Sequence, residues 1–426
     1  MKTVPYWLDT RPDFRSACVE PLPDKADVVV IGGGFTGLSC ALATAKRGAG
    51  VVLLEADVVA AAASGRNGGQ CNTGFAHDYR QARDLLGPDK AREIFQSYNA
   101  AVDTVERIVR EEGIDCAFRR VGKLKLAVSP AAFDDFRRSV DLINREADPE
   151  VYAVAKADLH TEVGSDRFHG GIIYPRSAML HVGKFGVGLA EAAARAGARL
   201  YEHTPVVQLE RIAGSRYRVT TPRGSMEAGQ VVIATGISRQ GPFFYFRRRI
   251  VPVGSFVIAT EPLDQSTVDR LIPKHRTVAV ARNLGNYYRI SPDNRLIFGG
   301  RAQFAVSSPR VDLRSGRILA GQMREIYPKL RDVRLDYCWG GMIEVTRDRF
   351  ARAGEYKGMY YSLGYSGSGV QAATHMGTIL ARMLEGDASA NPYRDLSWPP
   401  IPGHFGPPWF LPFVGAYYKV KDRLAA

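Results

Sequence analysis

Regular patterning begins near residue 26. In "ADVVVIGGGFTGLS" the segment 27–31 is apolar, mostly β-branched and barely alternating, the pattern of a parallel strand buried on both faces. Leu38, Ala41, Leu42 and Ala45 then recur at helical spacing on one face. Lys46 and Arg47 suit the negative pole at that helix's end, and Gly48 suits its stop. A second strand, 51–54, follows. Helical patterns over 79–114 and 130–146 flank a strand at 123–128, and 173–202 and 206–236 return to alternating strand and helix. The region 249–336 carries β-rich runs, "VPVGSFVIAT" and "NYYRISPDNRLIFGG", with "PDN" at 292–294 as a hairpin turn. Towards the C-terminus, 360–363 reads as a strand, 364–369 as a flexible loop and 370–384 as a helix. On that helix Ala373 and Gly377, one turn apart, permit close packing. Prolines in the final "SWPPIPGHFGPPWFLPFVGAYY" argue against a continuous amphipathic helix there.

At 426 residues the chain exceeds one ordinary core, so two domains are expected. No apolar run nears the ~20 residues that span a bilayer. "MKTVPYWLDTRPDF" has no signal-peptide core and reads as an N-terminal arm of a cytoplasmic protein. Cys18, Cys40, Cys71, Cys116 and Cys338 are scattered without CxxC spacing, so neither a disulfide framework nor a metal site is expected. Cys40 reads as a buried structural thiol. Basic residues outnumber acids 57 to 44, a net charge of +13, but they are dispersed, with "FRRR" at 246–249 the densest cluster. No nucleic-acid-reading element accompanies them, so nucleic acid is not an expected partner, which leaves a membrane surface or an anionic substrate and cofactor as readings of the charge.

Gly32, Gly34 and Gly37 form G-x-G-x-x-G between strand and helix, enclosing Phe35 and Thr36. Their respective uses are a tight turn, close approach of a pyrophosphate, and close helix–strand packing. Glu55, followed by Ala56, ends the second strand where a carboxylate holds adenosine ribose hydroxyls and disfavours a 2′-phosphate. This stretch alone fits NAD or FAD. In "SGRNGGQ" (Ser64, Arg66, Asn67, Gly68, Gly69, Gln70) the glycines would let backbone pass close to a flat ring. Val206 and the "GQVVIATG" strand ending at Thr235 and Gly236 add a further turn. Gly364, Gly367 and Ser368 lead into a helix starting near Gly369 and Val370, whose positive end suits the charge of a reduced flavin.

"VVIGGGFTGLS", "SGRNGGQ", "GSDRFHGG", "YYRISPDNRLIFGG", "GYSGSGV" and "FVGAYYKVKDRL" together resemble the FAD-dependent amine and amino-acid oxidases of the D-amino-acid oxidase and sarcosine oxidase superfamily, over 26–424. The resemblance implies an α/β fold with an α+β substrate part: a Rossmann-like FAD-binding domain with an inserted β-sheet substrate domain. The expected FAD domain comprises 1–78, 151–245 and 337–426, and the substrate domain 79–150 and 246–336. The implied cofactor is FAD. The implied reaction turns an amine, γ-glutamylputrescine or a related polyamine conjugate, into an imine and aldehyde while O2 becomes H2O2. An amino-acid or opine dehydrogenase passing electrons to a quinone or other carrier is the alternative. Tyr287, Tyr288 and Tyr365 are candidates for an aromatic cage, and Tyr288, Tyr365 and Gln371 for the catalytic set. Roles for Arg66 and Arg289 stay open, and His375 reads as a packing residue.

Two departures from the family pattern carry expectations. Gly341 stands where sarcosine oxidases tether flavin through cysteine, with Cys338 three residues away, so the FAD is expected to be noncovalent. Gln371 stands where those enzymes place a lysine for the substrate carboxylate, which implies a reacting carbon with no carboxylate beside it.

Overall fold

The computed structural model describes residues 1–238, 240–282 and 284–424. Two eight-stranded sheets organise it. In the first, Lys25–Ile31 lies parallel between Val51–Leu54 and Gly224–Ile233, and Arg199–Tyr201 extends it beyond Val51–Leu54. Met359–Leu363 adds in parallel on the far side of Gly224–Ile233. The sheet is thus assembled from segments distant in sequence. Its central strand is buried on both faces as its lack of alternation requires: Val28 and Val30 pack with Leu38 and Ala41, while Val29 and Ile31 pack with Tyr217 and Val231.

The second sheet runs in the order Leu335–Val345, Val251–Thr260, Leu296–Gly300, Asn286–Ile290, Thr277–Val280, Lys123–Leu126, Gly170–Tyr174 and Tyr152–Ala155. The boundaries expected at 151 and 337 cut through this sheet. Tyr152–Ala155 and Gly170–Tyr174 pair within it, and Leu335–Val345 forms its edge along Val251–Thr260. Local pattern cannot assign a strand to one of two sheets; long-range pairing does. One face packs Leu124, Leu126, Tyr288, Phe298 and Cys338 against the helix Pro309–Ile326. Alternate residues point the other way, toward the first sheet, and roof the site.

The N-terminal arm is built into the core. Tyr6–Asp9 is a short helix whose Trp7 is fully buried, donating from Nε1 to Asn67 O at 2.6 Å, while the Tyr6 hydroxyl donates to Asp293 Oδ1 at 2.6 Å. At the other end, Leu411–Leu424 is a helix despite Pro412, because a proline in the first turn removes no intrahelical hydrogen bond.

The helix Gly369–Leu384 crosses Phe35–Ala45 at Gly377, where an added Cβ would lie 2.5 Å from Thr36 O and 2.6 Å from Ser39 Cβ. Gly377→Ala is expected to destabilise by about 1–3 kcal/mol through overpacking. It should also lower flavin content as purified, because it displaces the helix that starts at the dinucleotide turn. Thermal melting together with the 450 nm absorbance ratio, a generic flavin readout, checks both.

Candidate active site

The dinucleotide turn is shaped by backbone contacts that only glycine permits. Gly32 has φ +111°, and a Cβ there would sit 2.4 Å from Ala234 O. A Cβ on Gly37 would sit 1.8 Å from Gly32 O. Gly34 N-caps Phe35–Ala45 with no side-chain cap, and a Cβ there would meet only Ser64 Oγ, at 3.1 Å. Ser64 Oγ accepts from the Phe35 N–H at 3.1 Å. Glu55 ends Val51–Leu54 and turns back to this loop, accepting from Gly33 N–H at 2.6 Å and Asp57 N–H at 2.9 Å. Burial raises its carboxyl above the ordinary value, and the backbone donors oppose that. Ala56 beside it is exposed, and Val206 is buried nearby, after Thr204, whose N–H donates to Glu55 O. Thr235 Oγ1 is buried with no partner among the described residues, and Gly236 follows at φ +56°.

The 64–70 loop crosses beneath the second sheet. A Cβ on Gly68 would meet the Tyr287 ring at 2.6 Å, and one on Gly69 would meet Leu180 O at 2.8 Å. The ring against Gly68 is therefore Tyr287, whose hydroxyl lies 3.0 Å from Ser255 Oγ, while Gly69 lies against Trp7 and Arg289. Arg289 donates to Gly69 O at 2.9 Å and lies over Trp7, and burial holds it down to about 9. Arg66 donates to Ala61 O at 2.9 Å and Gly340 O at 3.2 Å. Both arginines brace the loop. Asn67 accepts from Gly69 N–H at 2.9 Å, and Gln70 donates to Val278 O and Tyr288 O, each at 3.2 Å.

Tyr288 is not brought to this face. Its side chain stacks on Phe298 with ring centroids 5.4 Å apart, in the core beneath Pro309–Ile326, because adjacent residues of a strand point oppositely. Tyr287, its neighbour on the strand, points the other way and packs on Gly68. Tyr365 is buried with its hydroxyl 2.8 Å from both Thr36 Oγ1 and Ser362 Oγ, which ties the dinucleotide helix to the last strand. Gln371 is buried on the first turn of Gly369–Leu384; its Nε2 donates to Asn72 O, and its Oε1 has no partner among the described residues. Gly364 (φ +81°) and Gly367 (φ +103°) shape the approach, and Ser368 N-caps the helix with no side-chain hydrogen bond. Val370 is buried on the same first turn. His375 packs, its Nδ1 2.8 Å from Thr104 Oγ1, with burial lowering it to about 4.

Sequence reasoning missed Glu344. It accepts from Gly364 N–H at 2.7 Å, a Cβ on Gly236 would sit 3.3 Å from its Oε1, and burial pushes it up to about 7. No motif contains it, so only its meeting with two distant turns exposes it. Lys123 and Lys125 were also missed, although the alternation in "KLKL" could have shown both on one face. With Gly74, Phe75, His77, Tyr174 and others they line a cavity of about 170 Å³ under the second sheet.

These observations fit FAD: a glycine cradle at Gly34, an uncapped helix start, a carboxylate at the ribose position and the partnerless Thr235 hydroxyl. Comparison with known proteins agrees. The DAO family, described as FAD dependent oxidoreductase, matches residues 27–383. The chain belongs to the DAO family of FAD-dependent oxidoreductases. It is 31% identical to the gamma-glutamylputrescine oxidoreductase of Escherichia coli over 93% of each chain. It is 32% identical to the probable oxidoreductase OrdL of Haemophilus influenzae, over 90% of this chain and 88% of that one. Among solved structures, the glycine oxidase of Geobacillus kaustophilus superposes at a TM-score of 0.71, with 22% identity, over 88% of this chain and 100% of that one. The L-proline dehydrogenase of P. horikoshii does so at 0.72, with 20% identity, over 88% and 98%. This DAO-family chain is an FAD-dependent oxidoreductase acting on CH–NH or CH–NH2 groups. Among its described residues no helix is long and apolar enough to cross a membrane.

Cys338 points away from the site. Its Sγ donates to Asp312 O at 3.3 Å, and it packs in the core under Pro309–Ile326, while Gly341, which faces the site, abuts Arg66. Acid precipitation is therefore expected to release all flavin into the supernatant, equally in wild type and Cys338→Ala. Glu55→Gln should weaken FAD binding by about 10- to 100-fold, the value of a charge-assisted hydrogen bond of ~1.5–3 kcal/mol. Fluorescence titration of deflavinated protein with FAD measures it.

Proposed function

We propose that the enzyme oxidises the amine of γ-glutamylputrescine or a related polyamine conjugate and that the electrons pass to O2. The amine carbon and nitrogen together lose two electrons and two protons, water hydrolyses the resulting imine to an aldehyde and ammonia, and O2 takes up two electrons and two protons as H2O2. Bound FAD supplies the two-electron acceptor chemistry. Gly32, Gly34, Gly37 and Glu55 would hold its pyrophosphate and ribose, and the 64–70 loop and the 364–370 turn would flank its ring. Tyr287, packed on Gly68 with its hydroxyl 3.0 Å from Ser255 Oγ, would offer an aromatic face to the amine and exclude water around it. That exclusion favours the neutral amine, which is the reactive form.

Gln371 carries the substrate reading. Its amide nitrogen is engaged by Asn72 O, and it is neutral, so it brings no cation to a carboxylate beside the reacting carbon. The match to the putrescine-conjugate relative over nearly the whole chain points the same way. Anaerobic flavin bleaching should then be fastest with γ-glutamylputrescine, slower with putrescine and slowest with sarcosine. A simple α-amino acid or sarcosine bleaching fastest would overturn the substrate assignment. Absence of stoichiometric H2O2 in air would overturn O2 as the acceptor.

A further inference from the structure

Lys123 and Lys125 alternate with the core residues Leu124 and Leu126, so both side chains leave their strand toward the first sheet and enter the 170 Å³ cavity. The Lys123 ammonium donates to Thr73 O at 3.0 Å and lies 4.3 Å from the centre of the Tyr174 ring. The Lys125 ammonium lies 5.3 Å from the Phe136 ring and makes no hydrogen bond or ion pair among the described residues. Further cations act on this group from outside the lining. Arg349 is near enough to disfavour the charged forms of Lys125 and His77, and Arg301 lies near Arg349. Burial lowers Lys123 to about 7 and Arg301 to about 10.

The acid facing this group is Asp78, and its oxygens are committed: Oδ1 accepts from Arg80 N–H at 3.0 Å and Oδ2 from Ser139 Oγ at 2.6 Å. Asp348 pairs instead with Arg352. Among the described residues neither Lys123 nor Lys125, the two cations that line the cavity, has a carboxylate partner, and burial disfavours their charged forms unless an anion enters.

Strand register sets the reach. Lys125 pairs with Ala279, which pairs with Tyr287, the ring over the 64–70 loop. Two strand spacings of about 4.8 Å put Lys125 roughly 10 Å from Tyr287 across the sheet. Extended chain covers ~3.3–3.6 Å per residue, so about three residue lengths bridge the gap.

We propose that this cavity is the subsite for a carboxylate at the far end of the amine substrate, with Lys125 its principal ligand and Lys123 beside it. The enzyme thereby selects amines whose carboxylate lies about three residue lengths from the reacting nitrogen. The assignment rests on the amine-oxidising reading above and adds the group that sets chain length and charge preference.

The test compares ω-aminooctanoate with octylamine on wild type, Lys125→Met and Lys125→Arg holoenzymes, reading Kd from anaerobic flavin reduction. Lys125→Met removes an unpaired charge and strands no partner, so the fold should hold. Its Kd for ω-aminooctanoate should rise about tenfold or more while that for octylamine stays put, and Lys125→Arg should recover most of the difference. Equal weakening of both amines, or of neither, overturns the subsite. Calorimetric titration of the oxidised holoenzyme with suberate needs no turnover. Binding by wild type that is lost in Lys125→Met supports the subsite; binding retained in the variant, or absent in wild type, overturns it. If neither amine bleaches wild-type flavin, γ-glutamylputrescine bleaching still decides the proposed function, and the suberate titration still decides the subsite.

Discussion

The contact of Gly37 on the Gly32 carbonyl is the constraint from which the rest of the site follows. An added Cβ would come within 1.8 Å of that oxygen, so the helix can start directly on the end of its strand only with hydrogen at this position. Because the helix is pressed so close, its first N–H, from Phe35, meets Ser64 Oγ beside Gly33, whose N–H is held by Glu55. The same helix is clamped from behind at Gly377 and tied through Thr36 to Tyr365. One close approach therefore fixes the cradle, the last strand and the last helix relative to each other.

Charge is divided along the molecule. Carboxylates stand at Glu55 and at Glu344, near the dinucleotide turns, where they accept hydrogen bonds from backbone N–H groups. Cations gather under the outer half of the second sheet, around a cavity lined also by Phe75, Tyr79 and Phe95. The Tyr174 and Phe136 rings lie by the Lys123 and Lys125 ammonium groups, and Lys123 also donates to Thr73 O. The net charge of +13 is spread over the whole surface, so this local division, not the total, bears on binding.

Buried glycines and buried tyrosines play opposite parts here. The glycines at 32, 37, 68 and 377 allow backbone to approach backbone or ring, whereas Tyr365 and Tyr6 span gaps and end on polar partners. Tyr6 and Trp7, from the first residues of the chain, join the two sheets at the 64–70 loop and at Asp293. The arm is thus a structural wedge against the flavin loop.

The sequence by itself determined the local features: the strand–turn–helix around Gly32, the hairpin at 292–294, the helices after 130 and 369, and the acid at 55. Each rests on interactions among near neighbours, so composition and spacing suffice to show it. Which sheet a strand joins was decided only by tertiary pairing, and so 152–174 and 335–345 went to the second sheet. The choice between Tyr287 and Tyr288 was decided the same way, because a one-residue shift in a strand reverses the face a side chain serves. Glu344, Trp7 and the lysine cavity owe their positions to contacts across tens to hundreds of residues. No local pattern records such contacts, since the energy that fixes them comes from burial against partners the chain meets only when folded.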